Sequence, residues 1–349
     1  MTAPRLGLFT RLLENAPAAD RYRFALEQIR RADELGFASA WVAQHHFGEY
    51  EGGLPSPFVL LAAAAQHSTD IALGTAVLTL PIDDPLRAAE DAAVLDALSG
   101  GRVQLGIAAG GTPSSFPAFG RDPAARRDLF TEHLEVLRDG LAGRGIRGTD
   151  SRIYPPAGDL GRRIWQATFS ADGGRRAGQA ADGLLLSRTQ PRPEGAHRDP
   201  LHTLQLPIID AYREELPAGV APRILASRTA LVVDPEHRGR ALELAEPGLR
   251  ALARTQPGFD ADSAGLAELI AVTDTHVGTV EEVAASLTAD AALREVTDVS
   301  FQVHSIAADH ALTLRSLELL ATEVAPLVGI ATGPAAVGEL AAAHLSPAD

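Results

Sequence analysis

Apolar runs of four to ten residues alternate with helix-like stretches along most of this chain. That rhythm is expected of β/α units, whose strands lie parallel in one sheet. Eight strands are expected: Leu6–Thr10, Ser39–Ala43, Ile71–Leu78, Val103–Ala108, Arg163–Phe169, Gly183–Ser187, Ile224–Val233 and Val299–Val303. Helical patterns fall between them at Tyr22–Leu35, Pro57–Gln66, Pro85–Leu98, Ala124–Leu141, Gly174–Ala181, Leu201–Glu215 and Val280–Thr288. Eight such units favour a closed (β/α)8 TIM-like barrel over an open sheet, and 349 residues suit one such domain with insertions. The stretches Gly143–Gly161 and Asp234–Gly278 exceed simple connections and read as lids or substrate loops, the second with helices of its own. A closing helix is expected over Asp309–Val328, and the alanine-rich Gly329–Asp349 reads as a tail that packs loosely.

Composition removes several chemistries. The 31 basic residues are all arginine, so neither a Schiff-base lysine nor a Walker-type lysine is available. With no cysteine there is no thiol nucleophile, disulfide, iron–sulfur cluster or cysteine zinc site. Redox chemistry must therefore be borrowed from a cofactor. A net charge of −14 without a dense basic run disfavours nucleic acid and anionic membranes as partners. No basic n-region with a long apolar core opens the chain, and no uninterrupted apolar run of about 18 residues follows, so a cytoplasmic location is expected. High arginine, alanine and glycine without lysine point to a GC-rich bacterial genome.

The candidate active site begins at Trp41-Val42-Ala43-Gln44-His45-His46-Phe47, where two histidines follow a short apolar strand. Ligands of parallel α/β proteins sit at the carboxyl ends of strands. Neighbours on a strand point to opposite faces, so one imidazole enters a pocket and the other braces the loop or the core. A metal held by this pair with Glu49 and Glu51 is disfavoured, because adjacent strand residues diverge and no HExxH spacing accompanies them. The third strand ends in small residues, and Ala108-Ala109-Gly110-Gly111-Thr112 leads the fourth into a loop where backbone can approach a flat ligand. At Thr168-Phe169-Ser170-Ala171-Asp172-Gly173-Gly174-Arg175-Arg176 a strand ends in hydroxyls and opens into a helix, an anion site in which Ser170 can equally be an N-cap. Gly143-Arg144-Gly145-Ile146-Arg147-Gly148 has dinucleotide spacing but follows a helix, so it reads as a helix-ending loop. Gln302 and His304, at the end of the last strand, are further pocket candidates.

Together these segments resemble the luciferase-like monooxygenases. Further anchors are Leu73-Gly74-Thr75-Ala76-Val77, Pro85-Leu86-Arg87, Gly101-Arg102, Phe119-Gly120 and Val277-Gly278-Thr279-Val280-Glu281-Glu282-Val283. The resemblance implies a TIM-like barrel that holds FMN at its carboxyl face, receives it reduced from a separate flavin reductase, and uses O2 to oxidise a small organic substrate. It assigns His45 as the catalytic histidine and Ala76-Val77 as a pair joined by a non-prolyl cis peptide beneath the flavin ring. By the same resemblance Ala108, Ala109 and Gly110 wall the flavin, and Phe169 and Ser170 hold its phosphate. Arg175 or Arg188 is expected to add positive charge there, because Ala109 stands where the luciferases carry an arginine. Gln44 replaces their glutamate and Ala108 their reactive thiol. By the same resemblance His45 is expected to stabilise the hydroperoxide or to shuttle a proton near neutral pH. A homodimer through the early helices is implied. Two alternatives stay open: hydride transfer with deazaflavin F420 on the same barrel, and a flavin-binding protein without turnover.

Overall fold

The computed structural model describes residues 3–48, 52–193, 195–196, 199–303 and 309–333. Its strands are β1 (Arg5–Thr10), β2 (Ser39–Val42), β3 (Ala72–Thr75), β4 (Leu78–Thr79), β5 (Val103–Ala108), β6 (Ile164–Ala167), β7 (Gly183–Leu186), β8 (Ile224–Val232), β9 (Thr275–Gly278) and β10 (Asp298–Gln302). The helices are α1 (Ala18–Glu34), α2 (Pro57–Ala65), α3 (Pro85–Ser99), α4 (Arg126–Leu141), α5 (Ala171–Gln179), α6 (Leu201–Glu214), α7 (Arg238–Ala253), α8 (Leu266–Val272), α9 (Val280–Thr288), α10 (His310–Leu319) and α11 (Ala325–Val328).

The strands run in the order β1-β2-β3-β5-β6-β7-β8-β10, all parallel, and β10 pairs with both β8 and β1. The expected eight-stranded barrel is therefore closed. Two details differ from expectation. The strand foreseen over Ile71–Leu78 is split at the cis peptide Ala76–Val77, beyond which β4 continues along β5. β9, unforeseen within the 234–278 insertion, lies outside the ring. It pairs with the later residues of β8, Thr229 to Val232, whereas β10 takes Leu225 to Thr229. A nine-residue strand is long enough for two partners, and no local pattern shows that.

Helix limits follow local chemistry. In α3, Pro85 stands in the first turn, the Asp84 carboxylate accepts from the Leu86 and Arg87 amides, and left-handed Gly100 ends the helix. In α9, Thr279 and Glu282 form a capping box. Alternation along each strand sends one set of side chains outward to the helices and the other into the barrel. On β5, Val103, Leu105 and Ile107 join the outer core. Phe9, Trp41, Ala43, Trp165, Leu185 and Leu225 fill the interior. The two indoles meet edge to face at 5.4 Å. Gly74 and Gly183 make room for them, since a Cβ at either would lie 2.2 Å from an indole carbon.

Gly106 is required by a backbone approach, because a Cβ there would lie 2.0 Å from the Thr75 carbonyl oxygen. Backbone cannot swing aside as a side chain can. Gly106→Ala is expected to cost about 3 kcal/mol, at the upper end of overpacking effects, read as a lower urea midpoint with an unchanged slope.

Asp309–Val328 forms the expected closing segment, with a π turn at Leu320–Val324 between α10 and α11. Its continuation is anchored where loose packing was expected: Ile330 is buried and Ala331 bridges to Arg5, so the barrel edge holds residues 329–333. Residues 334–349 lie outside the described residues. The run Gly143–Gly148 follows α4 and ends it with left-handed glycines at both extremes, as its setting implied.

Candidate active site

His45 stands just beyond β2, at the carboxyl end of the barrel, with its amide donating to the Leu54 carbonyl at 2.9 Å. A Cβ on Gly52, whose φ is +144°, would lie 2.7 Å from His45 Cδ2, so glycine lets this segment close against the ring. Burial, then the charges of Arg11, His46 and Arg188, push the His45 pKa down to about 3. At pH 7 the group is then a neutral imidazole that can donate or accept a hydrogen bond, which suits the first of the two expected roles. His46 takes the bracing role, edge-on to Phe119 at 4.8 Å and tilted against Phe47. Glu49, Glu51 and His304 lie outside the described residues.

Beside His45 is a surface of small, partly exposed residues. Ala76 and Val77, joined by a cis peptide, rest on the tryptophan-filled interior. Ala108, Ala109 and Gly110 follow on from β5, Gly110 at φ +93° with Thr79 and Phe116 packed where a side chain would be. Gln44 ties the two strands: its Oε1 accepts from the Thr79 amide at 2.7 Å and its Nε2 donates to Asp83 Oδ2 at 3.0 Å. Burial raises the Asp83 pKa. The sequence marked Gln44 only as a departure, and only the fold shows it bracing the Leu78–Thr79 strand. Gln44→Leu leaves a buried amide and carboxyl without this partner, and is expected to cost about 1–3 kcal/mol in chemical denaturation.

At the anion turn, Ser170 Oγ accepts from the Gly173 amide at 3.3 Å and caps α5. Gly173 is pressed so closely on Thr168 that a Cβ would lie 1.9 Å from its hydroxyl. Phe169 is half exposed, and its carbonyl accepts from Gln190 at 3.0 Å. The two arginines expected here diverge. Arg175 pairs with Asp172 on the same helix at 3.3 Å. Arg188 is buried and donates to Thr229 Oγ1 on β8 at 3.3 Å, within the field of Arg11 and His45. Burial and then Arg11 push its pKa down to about 9, which leaves it a cation at pH 7.

Sequence reasoning missed Arg11, Ser227, Thr229 and Ser300. The available signal was polar alternation in strands otherwise apolar: Ser227 and Thr229 on β8, Asp298, Ser300 and Gln302 on β10. Two voids lie elsewhere, one of about 10 Å³ at the barrel floor against Arg5 and Asp298, the other of about 330 Å³ outside, between α4 and Gly158–Arg162.

His276, a buried residue of β9, has a pKa lowered to about 4, first by burial and then by Arg228. A histidine depressed by folding leaves stability intact above its unfolded pKa near 6.5 and removes it as pH falls toward the folded value. Stability is expected to decline between pH 6.5 and about 4 through His45 and His276. His276→Gln should show a shallower decline than the parent in urea titrations across that window.

A closed ring of eight parallel strands with helices around it defines a TIM-like α/β barrel protein. The profile of the luciferase-like monooxygenases matches residues 7–296, and the chain belongs to that family. It is 39% identical over 118 residues to 4-hydroxyprotoasukamycin monooxygenase of Streptomyces nodosus subsp. asukaensis (34% of this chain, 32% of that protein). It is 33% identical over 175 residues to limonene 1,2-monooxygenase of Rhodococcus erythropolis (48% and 45%). The similarity thus spans half or less of these relatives' length. Among solved structures, the monooxygenase RslO1 of Streptomyces bottropensis superposes with a TM-score of 0.74 at 25% identity, over 92% of this chain and 99% of that one. The oxygenating constituent of 3,6-diketocamphane monooxygenase of Pseudomonas putida, solved with FMN, gives 0.73 at 20% over 95% and 100%. An F420-dependent secondary alcohol dehydrogenase gives 0.70 at 19% over 94% and 99%, so the same fold serves both cofactors.

Proposed function

We propose that this chain is a flavin-dependent monooxygenase that takes reduced FMN from a separate reductase and uses O2 to oxidise a small organic substrate. The observation that carries this reading is the juxtaposition, in a chain without cysteine, of the Ala76–Val77 and Ala108–Gly110 surface with the neutral imidazole of His45. Reduced FMN supplies the electrons that activate oxygen, which no side chain here can provide. Ala76 and Val77 would carry the ring plane, and Ala108, Ala109 and Gly110 the wall beside it. The phosphate would be held by the Ser170 hydroxyl, the Phe169 backbone and the first amides of α5, where the helix dipole favours an anion. Arg175, on the first turns of the same helix and paired with Asp172, would add positive charge nearby. His45 would hold one hydrogen bond at the reacting edge. Exposed Val59 on α2, with Val94 and Leu98 on α3, supports a homodimer through the early helices.

Equilibrium titration of FMN and F420 against the full chain, with oxygen uptake measured on adding FMNH2, tests the reading. Micromolar or tighter FMN binding and oxygen uptake above the free-flavin background are expected. Tight F420 binding with negligible FMN affinity would turn the assignment to hydride transfer, the activity that the fold's F420-dependent neighbour supports.

A further inference from the structure

Buried cations are normally paired, because an ion withdrawn from water without a counter-charge costs several kcal/mol. Of the other buried arginines, Arg163 faces Asp96 and Asp159, Arg192 faces Asp274 and Arg228 faces Asp290, while Arg102, without a carboxylate, donates five hydrogen bonds to Ser68, Ala65, Ile71 and Ser99. Arg188 has neither compensation. It is 7% exposed and carries five N–H donors, yet among the described residues it makes one hydrogen bond, to Thr229, and no carboxylate lies within ion-pair distance. Arg11, from the end of β1, adds a second positive field instead of an opposing one.

Beneath it runs a row of buried polar side chains. Thr229 is in register with Gln302, and Ser227 with Ser300. Val299, Phe301 and Val303 pack outward, so alternation turns Ser300 and Gln302 into the barrel. Gln302 is fully buried, yet neither its amide nitrogen nor its amide oxygen has a hydrogen-bond partner, and the Ser227 and Ser300 hydroxyls also lack one. Buried polar groups are nearly always satisfied, so such a cluster at one wall of a mouth marks where ligand groups complete the network. The opposite wall, Ala43, Ala76 and Val77, is apolar.

We propose that Arg188, with Thr229 and Gln302 below it and Arg11 beside it, is a subsite for an anionic group, a carboxylate or sulfonate, on the organic substrate. The inference rests on the proposed function only in that the substrate enters this mouth. The same chemistry could serve the cofactor's phosphate. However, Arg188 leans on β8 toward the ends of β1 and β2, away from the β6–α5 turn of Ser170.

The test is calorimetric titration of the full chain, without flavin and with saturating FMN, using benzoate, benzenesulfonate and octanoate against benzyl alcohol and octanol. The anions are expected to bind at least tenfold more tightly than their neutral counterparts. Arg188→Gln should abolish that preference, Arg188→Lys should keep part of it, and FMN affinity should change less than twofold in both. Equal affinity for anions and alcohols in the parent protein overturns the proposal without recourse to any variant. So does a tenfold loss of FMN affinity in Arg188→Gln with inorganic phosphate competing, which assigns the arginine to the cofactor. Anion preference in a chain that binds neither FMN nor F420 removes the flavin reading and leaves the subsite standing.

Discussion

Replacing His45 with alanine is expected to lower turnover by about 100-fold or more while FMN affinity changes by less than about threefold. The ring stands at the end of β2, beside the surface assigned to the flavin, whereas the phosphate grip lies across the barrel at Ser170. Loss of the imidazole should thus weaken the reaction more than the binding. Because burial holds the group neutral, with a pKa of about 3, its role is a hydrogen bond and not a charge change. His45→Gln, which keeps a neutral donor and acceptor, is expected to retain part of the activity, and kcat should show no inflection from this group between pH 5 and 8. Steady-state oxygen uptake with saturating FMNH2 reads the effect. Unchanged turnover in His45→Ala would favour a flavin carrier without catalysis, and flavin loss in step with activity would make the residue a cofactor ligand.

Arg228→Met is expected to destabilise the fold by about 3–5 kcal/mol, the usual result of removing one member of a buried ion pair. Arg228 is fully buried and donates to Asp290 at 2.5 Å, Gln205 at 2.9 Å and the Ser227 carbonyl at 2.8 Å, tying β8 to α6 and to the turn after α9. Methionine fills much of the volume but leaves the Asp290 carboxylate without its cation. The double variant Arg228→Met with Asp290→Asn should recover a large part of the loss, because no uncompensated charge then stays buried. Urea unfolding of the parent, the two single variants and the double variant measures this. Additive losses would mean the pair contributes through packing alone.

The barrel was legible because each strand is a short apolar run and each helix carries its own start and stop signals, such as Asp84-Pro85 and Gly100 around α3. β9 was not, since Thr275–Gly278 is mixed in character and is a strand only because β8 outruns β10. At the site, motif and spacing pointed to the His45-His46 pair and the Ser170 turn, and the family resemblance added the choice of His45 and the Ala76–Val77 pair. The destinations of the arginines were not readable: Arg175 and Arg188 looked alike in the chain, yet one pairs with Asp172 on a helix surface and the other enters the mouth. A flexible side chain reaches whatever the fold brings near it, and its own neighbours in sequence do not determine what that is.

By itself, then, the sequence determined the things that depend on local pattern: eight β/α units, the lack of any redox or lysine chemistry, and a histidine and a hydroxyl-rich turn at strand ends. Only the tertiary structure decided which polar groups meet. Closing the ring sets Ser227 beside Ser300, Thr229 beside Gln302, and Arg188 above them with the field of Arg11, and it withdraws His45 from water far enough to keep it neutral. Burial and pairing across strands far apart in the chain set charge states and orphan hydrogen-bonding groups, and neither property belongs to any residue before the barrel closes.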